Sequence, residues 1–470
     1  MTEAALWTGT EAATATGGRN TRDWRATGAS IDSRTIDRGD LFVAIEGPTF
    51  DGHGFVGVAF ENGAAAGLVS HVPDKLPADA PLHVVDDTMA ALTALATASR
   101  ARGSARIVAV TGSAGKTGTK EALRHVLQAQ GPVSASRSSF NNHWGVPLSL
   151  TRMPAETAYG IFEVGMNHAG EIEPLTRLIR PHVAIITNVE AAHLEYFDSV
   201  EAIADAKAEI FAGLEPGGTA VLNRDNGHFD RLEAAARSHR IDDIIGFGAD
   251  PRSDVQLLDL APGDGYSDVS IDVHGQLIDY RLGVPGRHSV MNSLAVIAAV
   301  GALGADVDAA ARELATLGAL EGRGKVHRIA VSGASITLID DSYNANPASM
   351  RAALETLGRT APTGAGRRIA VLGEMRELGA QSAALHANLA EPVAANGIDL
   401  VFAAGEMRAL YDRLPPGIGV AHAETGTDLI DDIRRAVQAG DVVMVKGSNA
   451  SRMTAVVEAL LDAADATEDG

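Results

Sequence analysis

Residues 106–117 read RIVAVTGSAGKT, and this stretch decides the fold. Residues 106–112 form a short apolar run of the kind that becomes a buried strand. A glycine-containing turn follows it, and a helical pattern begins near Lys116. A strand that passes through a glycine turn into a helix is typical of parallel α/β units, so we predict an α/β protein.

The turn at residues 112–117 is also the most specific sign of chemistry in the chain. Glycines let backbone N–H groups turn inward around phosphate oxygens, and the helix N-terminus adds a favourable dipole. Lys116 would reach the β- and γ-phosphates of a nucleotide, and the Thr117 hydroxyl would bind Mg²⁺. The spacing G-x-x-G-K-T is shorter than the general phosphate-binding loop, and the alternative is a helix cap beside an exposed lysine. We favour a nucleotide site, because strand, turn, Lys-Thr and helix occur in the required order.

The composition of the 470-residue chain excludes several classes of protein. A formal net charge of −21 argues against broad binding to nucleic acids or anionic membranes. The chain has no Cys, which excludes disulfides, thiolate metal sites and a Cys nucleophile. Its N-terminus lacks the apolar core of a signal peptide, and no run reaches the ~18 apolar residues of a membrane span. We therefore expect a cytoplasmic protein with no membrane insertion.

Breaks in composition divide the chain into three predicted domains, at residues 1–104, 105–324 and 325–470. Apolar runs alternate with helical patterns in the second domain, which predicts a parallel sheet, and a β-rich stretch follows at 254–284. The third domain has short apolar runs that each end at a polar or glycine turn, which predicts an open, doubly wound sheet. In such sheets ligands bind beyond the carboxyl ends of the strands.

Charged side chains occur inside these apolar runs and at their ends. Glu163 lies within YGIFEVG, where we favour a Mg²⁺ ligand over a solvent-facing strand end. Asp341 and Lys446 close two strands of the third domain, as turn residues or as part of a ligand site. Arg323 stands in the glycine break before that domain, as a solvated charge or as a hinge residue that reaches a phosphate. His193 follows a predicted strand, and taken alone it is more typical of a structural histidine.

Lys207 lies in the centre of an apolar helical stripe within SVEAIADAKAEIFAGL, residues 199–214. Its stem could extend along apolar surface while the amine stays in water. Alternatively the amine is desolvated, its pKa falls, and the neutral form becomes available for chemistry. Carbamylation by CO₂ would then convert the lysine into an anionic metal ligand. The pattern leaves both interpretations open.

Segments along nearly the whole chain resemble the Mur ligases, a family of ATP-dependent amide-forming enzymes of peptidoglycan synthesis. The forms DDSYNANP and GEMRELG are similar to the branch that adds D-alanyl-D-alanine to UDP-N-acetylmuramoyl-tripeptide. The Asp-Asn-Pro-Arg signature of the branch that adds diaminopimelate or lysine is absent from this sequence. The matching segments, in the order of the family, are SIDSRTIDRGDLFVAIEGPTFDGHGFV, TGSAGKT, EVGMNHAGEI, ITNVEAAHLEYF, AKAEIF, GRHSVMNSLA, EGRGK, IDDSYNANPASM, VLGEMRELG and VKGSNASRM.

This resemblance implies a fold, a reaction and partners. The implied fold has a small α/β UDP-binding domain, a central P-loop ATPase domain with a parallel sheet, and a C-terminal Rossmann-like doubly wound domain. In the implied reaction, the tripeptide carboxylate attacks ATP to give an acyl phosphate, which the amine of D-alanyl-D-alanine converts to an amide. Alternatives are a sister ligase that adds a single amino acid, and a P-loop NTPase switch or phosphotransferase. We expect a monomer with small-molecule substrates.

The resemblance also assigns roles to individual residues. Three departures from the family's motifs occur, at Gly118, Ser289 and Asn449, and none removes a phosphate or metal ligand. The implied catalytic residues are Lys116, Glu163, His193, Lys207 and Arg323. ATP would be bound by Gly112, Ser113, Ala114, Gly115, Lys116, Thr117, Gly118, Asn292, Arg323 and Asp341. Mg²⁺ would be bound by Thr117, Glu163, His193 and carbamylated Lys207, the uridine diphosphate by Ser33 and Arg34, and the muramoyl-peptide by Asn141, Asn142 and Asn167.

Overall fold

The computed structural model describes residues 5–47, 49–74, 76–137, 140–192, 194–263, 265–331 and 334–468. These residues form three α/β domains in succession along the chain, as predicted. No helix in the described part of the chain combines the length and the apolar character needed to cross a membrane.

The N-terminal domain consists of short strands and helices. Its strands are β1 (Trp7–Thr8), β2 (Arg19–Asn20), β3 (Arg25–Ala26), β4 (Gly28–Ser30), β5 (Asp40–Val43), β6 (Ala66–Val69) and β7 (Leu82–Val84), and its helices are α1 (Gly9–Thr16), α2 (Val56–Glu61) and α3 (Thr88–Ala101). The main sheet has the order β2-β7-β6-β5-β4 and is parallel except at β2–β7. Asp87 begins α3, because its carboxylate accepts hydrogen bonds from the Met89 and Ala90 N–H groups.

The central domain contains the predicted strand–turn–helix unit. Its strands are β8 (Arg106–Thr111), β9 (Val133–Ala135), β10 (Tyr159–Glu163), β11 (Val183–Ile186), β12 (Thr219–Asn223), β13 (Asp243–Gly248), β14 (Val255–Pro262), β15 (Ser267–Val273) and β16 (Gln276–Leu282). Its helices are α4 (Lys116–Gln128), α5 (Gly145–Thr151), α6 (Ile172–Ile179), α7 (Val200–Ala208), α8 (Phe229–Ser238), α9 (Arg287–Ala302) and α10 (Val307–Glu313). The sheet has the order β16-β15-β14-β13-β12-β11-β8-β10-β9, with antiparallel pairing only within β14–β16. The carboxyl ends of β11, β8 and β10 are therefore adjacent.

The C-terminal domain is a second open sheet. Its strands are β17 (Lys325–Val331), β18 (Ala334–Asp341), β19 (Arg368–Leu372), β20 (Leu400–Ala404), β21 (Gly419–Ala423) and β22 (Val442–Lys446). Its helices are α11 (Pro347–Arg359), α12 (Ser382–Ala387), α13 (Ala390–Ala395), α14 (Arg408–Tyr411), α15 (Ile430–Ala436) and α16 (Met453–Glu468). In the order β17-β18-β22-β19-β20-β21, β18 and β22 are parallel neighbours, and Asp341 lies opposite Lys446 at their carboxyl ends.

Alternate residues of the central strands pack against helices on opposite faces of each sheet. In β8, Val108 and Val110 belong to the core beneath α4 and α9, whereas Ile107 and Ala109 belong to the core beneath α6 and α7. Strand β19 follows the same rule, with α11 on one face and α16 on the other. Both sheets are thus covered on both sides, and their strand ends remain open for ligands.

Candidate functional site

The turn between β8 and α4 has the backbone conformation of a phosphate-binding loop. Gly112 and Gly115 have φ angles of +149° and +83°, which residues other than glycine rarely adopt. A Cβ atom on Gly112 would collide with the Thr187 hydroxyl, and one on Gly115 would lie 2.6 Å from Asn292 Oδ1. Lys116 Nζ folds back and donates to the Gly112 carbonyl at 2.7 Å. These glycines are therefore required by the geometry of the loop.

Asn188 holds this loop in place from the end of β11, a role that was not predicted. Its backbone carbonyl accepts the Ser113 N–H at 3.1 Å, and its side-chain Oδ1 accepts the Ala114 N–H at 2.9 Å. The N–H groups of residues 116–118 begin α4 and have no partner within the helix. Residues 116–118 line a cleft, so these donors and the helix dipole are available to an anion there.

Glu163 at the end of β10 is a buried carboxylate, only 1% exposed. It accepts hydrogen bonds from Thr117 Oγ1 and from Asn141 Nδ2, each at 2.8 Å. Desolvation lowers the pKa of the neighbouring Lys116 ammonium from its ordinary value, and the charge of Glu163 partly offsets that effect. The structure thus brings the Lys116 ammonium, the Thr117 hydroxyl and the Glu163 carboxylate together, as predicted.

Lys207 on α7 is also buried, at 1% exposure. Burial lowers its pKa well below the ordinary value, and the positive charge of Lys116 adds to this effect. No described residue gives Lys207 an ion pair or a hydrogen bond. The predicted stripe continues to Leu214, but α7 ends at Ala208 and a 3₁₀-helix (Glu209–Gly213) follows, so Leu214 is only partly buried. His193 lies outside the described residues.

The C-terminal domain closes the cleft with charged residues from its strand ends. Lys446 is 2% exposed, and its Nζ donates to Asp341 Oδ2 at 2.8 Å and to the Asn344 carbonyl at 2.9 Å. The Arg323 guanidinium lies over the Tyr343 ring, 4.3 Å from its centroid. Asn346 Nδ2 lies 3.4 Å from the Ser113 carbonyl and so connects this domain directly to the phosphate-binding loop.

A cleft of about 1510 Å³ between the central and C-terminal domains unites most of the predicted site. Neither Gly112 nor Lys207 is among the residues that line this cleft. The predicted residues that line it are Ser113, Ala114, Gly115, Lys116, Thr117, Gly118, Asn141, Glu163, Asn167, Asn292, Arg323 and Asp341.

The remaining predicted substrate residues lie elsewhere. Asn142 does not line the cleft, and its Oδ1 accepts the Gly145 N–H at 2.9 Å to cap α5. Arg34 lies in the N-terminal domain, where it is exposed and forms a double hydrogen bond with Asp32. Ser33 beside it is buried. The structure therefore does not bring Ser33, Arg34 or Asn142 into contact with the phosphate-binding loop.

Comparisons with known proteins place the chain in a family. Its sequence matches the Mur ligase middle domain over residues 110–300, the glutamate ligase domain of Mur ligases over residues 322–449, and the Mur ligase family catalytic domain over residues 25–100. It is 36% identical to the UDP-N-acetylmuramoyl-tripeptide–D-alanyl-D-alanine ligase of Escherichia coli, over 92% of this chain and 93% of that protein.

Solved structures show the same likeness. The crystal structure of MurF from Acinetobacter baumannii is 29% identical and superposes with a TM-score of 0.83, covering 97% of this chain and 99% of that one. MurF ligase from Thermotoga maritima in complex with ADP is 28% identical, with a TM-score of 0.77 and coverage of 94% and 98%. The chain belongs to the Mur ligase family.

Proposed function

We propose that the protein is an ATP-dependent ligase that joins D-alanyl-D-alanine to UDP-N-acetylmuramoyl-tripeptide and releases ADP and phosphate. The observation that carries the proposal is the cleft itself, in which the phosphate-binding loop of one domain faces the strand-end residues of another. The names of the similar proteins support the choice of substrates. Because one chain supplies the whole cleft, we expect a monomer to be active, and we assign the reaction to the cytoplasm.

The reaction has two chemical steps, and negative charge develops in the cleft during each of them. The tripeptide carboxylate attacks the γ-phosphorus of ATP and forms an acyl phosphate, with ADP as the leaving group. The amine of the dipeptide then attacks the acyl carbon, loses a proton and expels phosphate. The N–H groups of residues 116–118, Lys116 and Arg323 would stabilise the charge on the phosphoryl oxygens, so we expect catalysis by positioning and electrostatics.

The residues around Glu163 fit a magnesium ion. Mg²⁺ prefers hard oxygen ligands, and the Thr117 hydroxyl and the Glu163 carboxylate place two such groups together beside the phosphate-binding loop. When bound, the ion would neutralise charge on the phosphates. The Asn141 amide, which we predicted to contact substrate, donates to Glu163 and so orients its carboxylate.

Lys207 fits the carbamate interpretation. Burial lowers the pKa of this amine well below its ordinary value and so raises the share of the neutral form, and a neutral amine adds to CO₂ and loses a proton to give an anionic carbamate. Such a group would serve a second Mg²⁺ together with His193. NMR with ¹³C-bicarbonate tests this directly: we expect a carbamate carbon signal in the wild type and none in Lys207→Arg. A wild type without that signal would contradict the assignment.

The other residue roles follow the family's motifs. We propose that Asn292 contacts adenine, that Asp341 contacts the nucleotide, and that Asn167 contacts the muramoyl-peptide. We also propose that Asn142 contacts the muramoyl-peptide through its side-chain N–H₂ group, because its Oδ1 already accepts the Gly145 N–H. Ser33 and Arg34 would bind the uridine diphosphate in the N-terminal domain. We propose domain boundaries at residues 1–104, 105–324 and 325–470.

Phosphate release measures the proposed function. Purified protein with ATP, Mg²⁺ and UDP-N-acetylmuramoyl-tripeptide should release phosphate only after D-alanyl-D-alanine is added, and Lys116→Ala should lose this activity. Release with UDP-N-acetylmuramoyl-dipeptide and diaminopimelate or lysine instead would identify a sister ligase. Release without any acceptor would identify an NTPase switch, and both outcomes would contradict the proposal.

A further inference from the structure

Two adjacent residues of opposite charge, Arg376 and Glu377, line the cleft from the loop after β19. Neither was assigned a role from the sequence, although the loop belongs to the motif VLGEMRELG. Glu377 has a φ angle of +63°, a left-handed conformation that is unfavourable for a residue with a side chain. Such a conformation persists only where the surrounding structure imposes it.

The backbone of this loop is fixed at several points. The Gly373 N–H donates to the Lys446 carbonyl at 2.7 Å, and the Met375 N–H donates to His386 Nε2 at 2.9 Å. The Glu377 carbonyl accepts the N–H of Glu195 from the central domain at 3.1 Å. The loop therefore bridges the two domains and holds both charged side chains at the cleft.

The Arg376 guanidinium is oriented by Glu374. Its Nε lies 2.5 Å from Glu374 Oε1, whose side chain is 12% exposed, whereas the Arg376 side chain is 61% exposed. Its two terminal nitrogens make no hydrogen bond to any residue that the structure describes. An arginine held at Nε with both terminal nitrogens free presents the fork that binds a carboxylate in two parallel hydrogen bonds.

Glu377 is the acidic member of this pair, and it lines the cleft together with the phosphate-binding loop. Lys116 and the rest of residues 113–118 line the same cleft, so the carboxylate of Glu377 and the phosphate-binding loop belong to one site. A carboxylate accepts several hydrogen bonds, so Glu377 can receive an amine in addition to its present contacts. The cleft thus brings together the phosphate-binding loop, a carboxylate and a guanidinium.

A carboxylate and a guanidinium side by side in this cleft match the two charges of a small zwitterion. ATP carries only negative charges, and an extended dipeptide has a free amine and a free carboxylate no more than about 7 Å apart. We infer that Glu377 binds the amine of the acceptor dipeptide and that Arg376 binds its C-terminal carboxylate, so that the amine faces the acyl phosphate. This inference rests on the proposed function, and it adds the residues that select the acceptor.

Removal of the acceptor's carboxylate tests the Arg376 contact. We expect the wild type to use D-alanyl-D-alanine at least tenfold more efficiently, in kcat/KM, than its C-terminal amide. In Arg376→Gln this preference should fall below threefold, because neither acceptor then has a guanidinium partner. Glu377→Gln should raise KM for the dipeptide at least tenfold and leave KM for ATP and for the UDP-linked tripeptide within twofold.

Arg408→Gln is the matched control, because Arg408 is also 61% exposed and ion-paired in the same domain but does not line the cleft. It should keep the wild-type preference, and ADP binding should show that all three variants fold. A persistent preference for the free carboxylate in Arg376→Gln would overturn the inference, as would a KM effect of Glu377→Gln on the tripeptide instead of the dipeptide. An inactive wild type would overturn the proposed function and the inference together.

Discussion

Lowering the pH should destabilise the N-terminal domain through His83. This histidine is fully buried, with Nδ1 2.8 Å from Asn20 Oδ1 and Nε2 2.7 Å from the Thr16 hydroxyl. Burial lowers its pKa from 6.5 to about 4. The unfolded chain gains a proton near pH 6.5, whereas the folded domain resists protonation down to about pH 4. The contribution to stability is therefore complete above pH 6.5 and is lost as the pH falls towards 4.

The magnitude follows from this difference in pKa. Each pKa unit corresponds to about 1.4 kcal/mol, so the domain should lose about 2 kcal/mol of unfolding free energy by pH 5 and about 3 kcal/mol by pH 4. This is a large part of the stability of an ordinary domain, since typical values are about 5–15 kcal/mol.

Tryptophan fluorescence can follow the N-terminal domain alone. Trp24 packs edge-on against His83, with ring centroids 6.2 Å apart, and Trp7 belongs to the same core. The remaining tryptophan, Trp144, is in the central domain, so Trp144→Phe leaves two probes of the N-terminal core. Urea titrations between pH 7 and 4 should show the loss in this background and a reduced loss after His83→Gln. Equal pH dependence of the two proteins would refute the reasoning.

Three substitutions probe the nucleotide side of the cleft. Glu163→Gln should lower kcat more than 100-fold in the phosphate-release assay with little change in thermal stability, because it keeps the shape but removes the anionic ligand; activity within tenfold of the wild type would contradict that role. Gly112→Ala should abolish ATP binding in calorimetry, because its Cβ would collide with Thr187; wild-type affinity would contradict the required geometry. Asn188→Ala leaves the Ala114 N–H without its acceptor, at a cost of about 1–3 kcal/mol, and should weaken ATP binding roughly tenfold. An unchanged Kd would show that the loop keeps its conformation without this hydrogen bond.

The phosphate site was predictable from sequence because local rules decide it. A strand, a glycine turn and a helix N-terminus lie next to one another in the chain, and only glycine suits the left-handed backbone of the turn. Helical spacing also placed Lys207 in the centre of an apolar stripe, but it left open whether the amine reaches water, and the structure buries the side chain. Asp341 and Lys446 were predicted to close strands of the third domain, and they lie opposite each other at the carboxyl ends of two parallel strands, where ligands bind in such sheets.

The rest of the site depends on contacts between residues that are far apart in the sequence, and these were not predicted. Asn188 holds the phosphate-binding loop across 74 residues of sequence, and nothing in its own neighbourhood indicates that contact. The family resemblance assigned Asn141 to the substrate, but its hydrogen bond to Glu163 was not predicted, because the two residues lie 22 positions apart on different elements. The loop at residues 373–377 is positioned by β22, which lies beside β19 in the sheet, and by the contact of Glu377 with the central domain. Such contacts depend on topology, which sequence periodicity does not encode.

The net charge of −21 and the anionic substrates are compatible because binding is local. The backbone N–H groups at the start of α4 are donors without net charge, and the Asp341 carboxylate already neutralises Lys446. The other cations that line the cleft are Lys116, Arg287, Arg323, Arg328, Arg359 and Arg376. A carbamate on Lys207 would move the net charge to about −23, because a positive group becomes negative. Carboxylates line the same cleft, at Glu121, Glu163, Glu190, Asp225 and Glu377, and they oppose the approach of free ATP. They favour a nucleotide whose charge a divalent cation has already reduced, which is the reason to expect Mg²⁺ and ATP to bind as one unit.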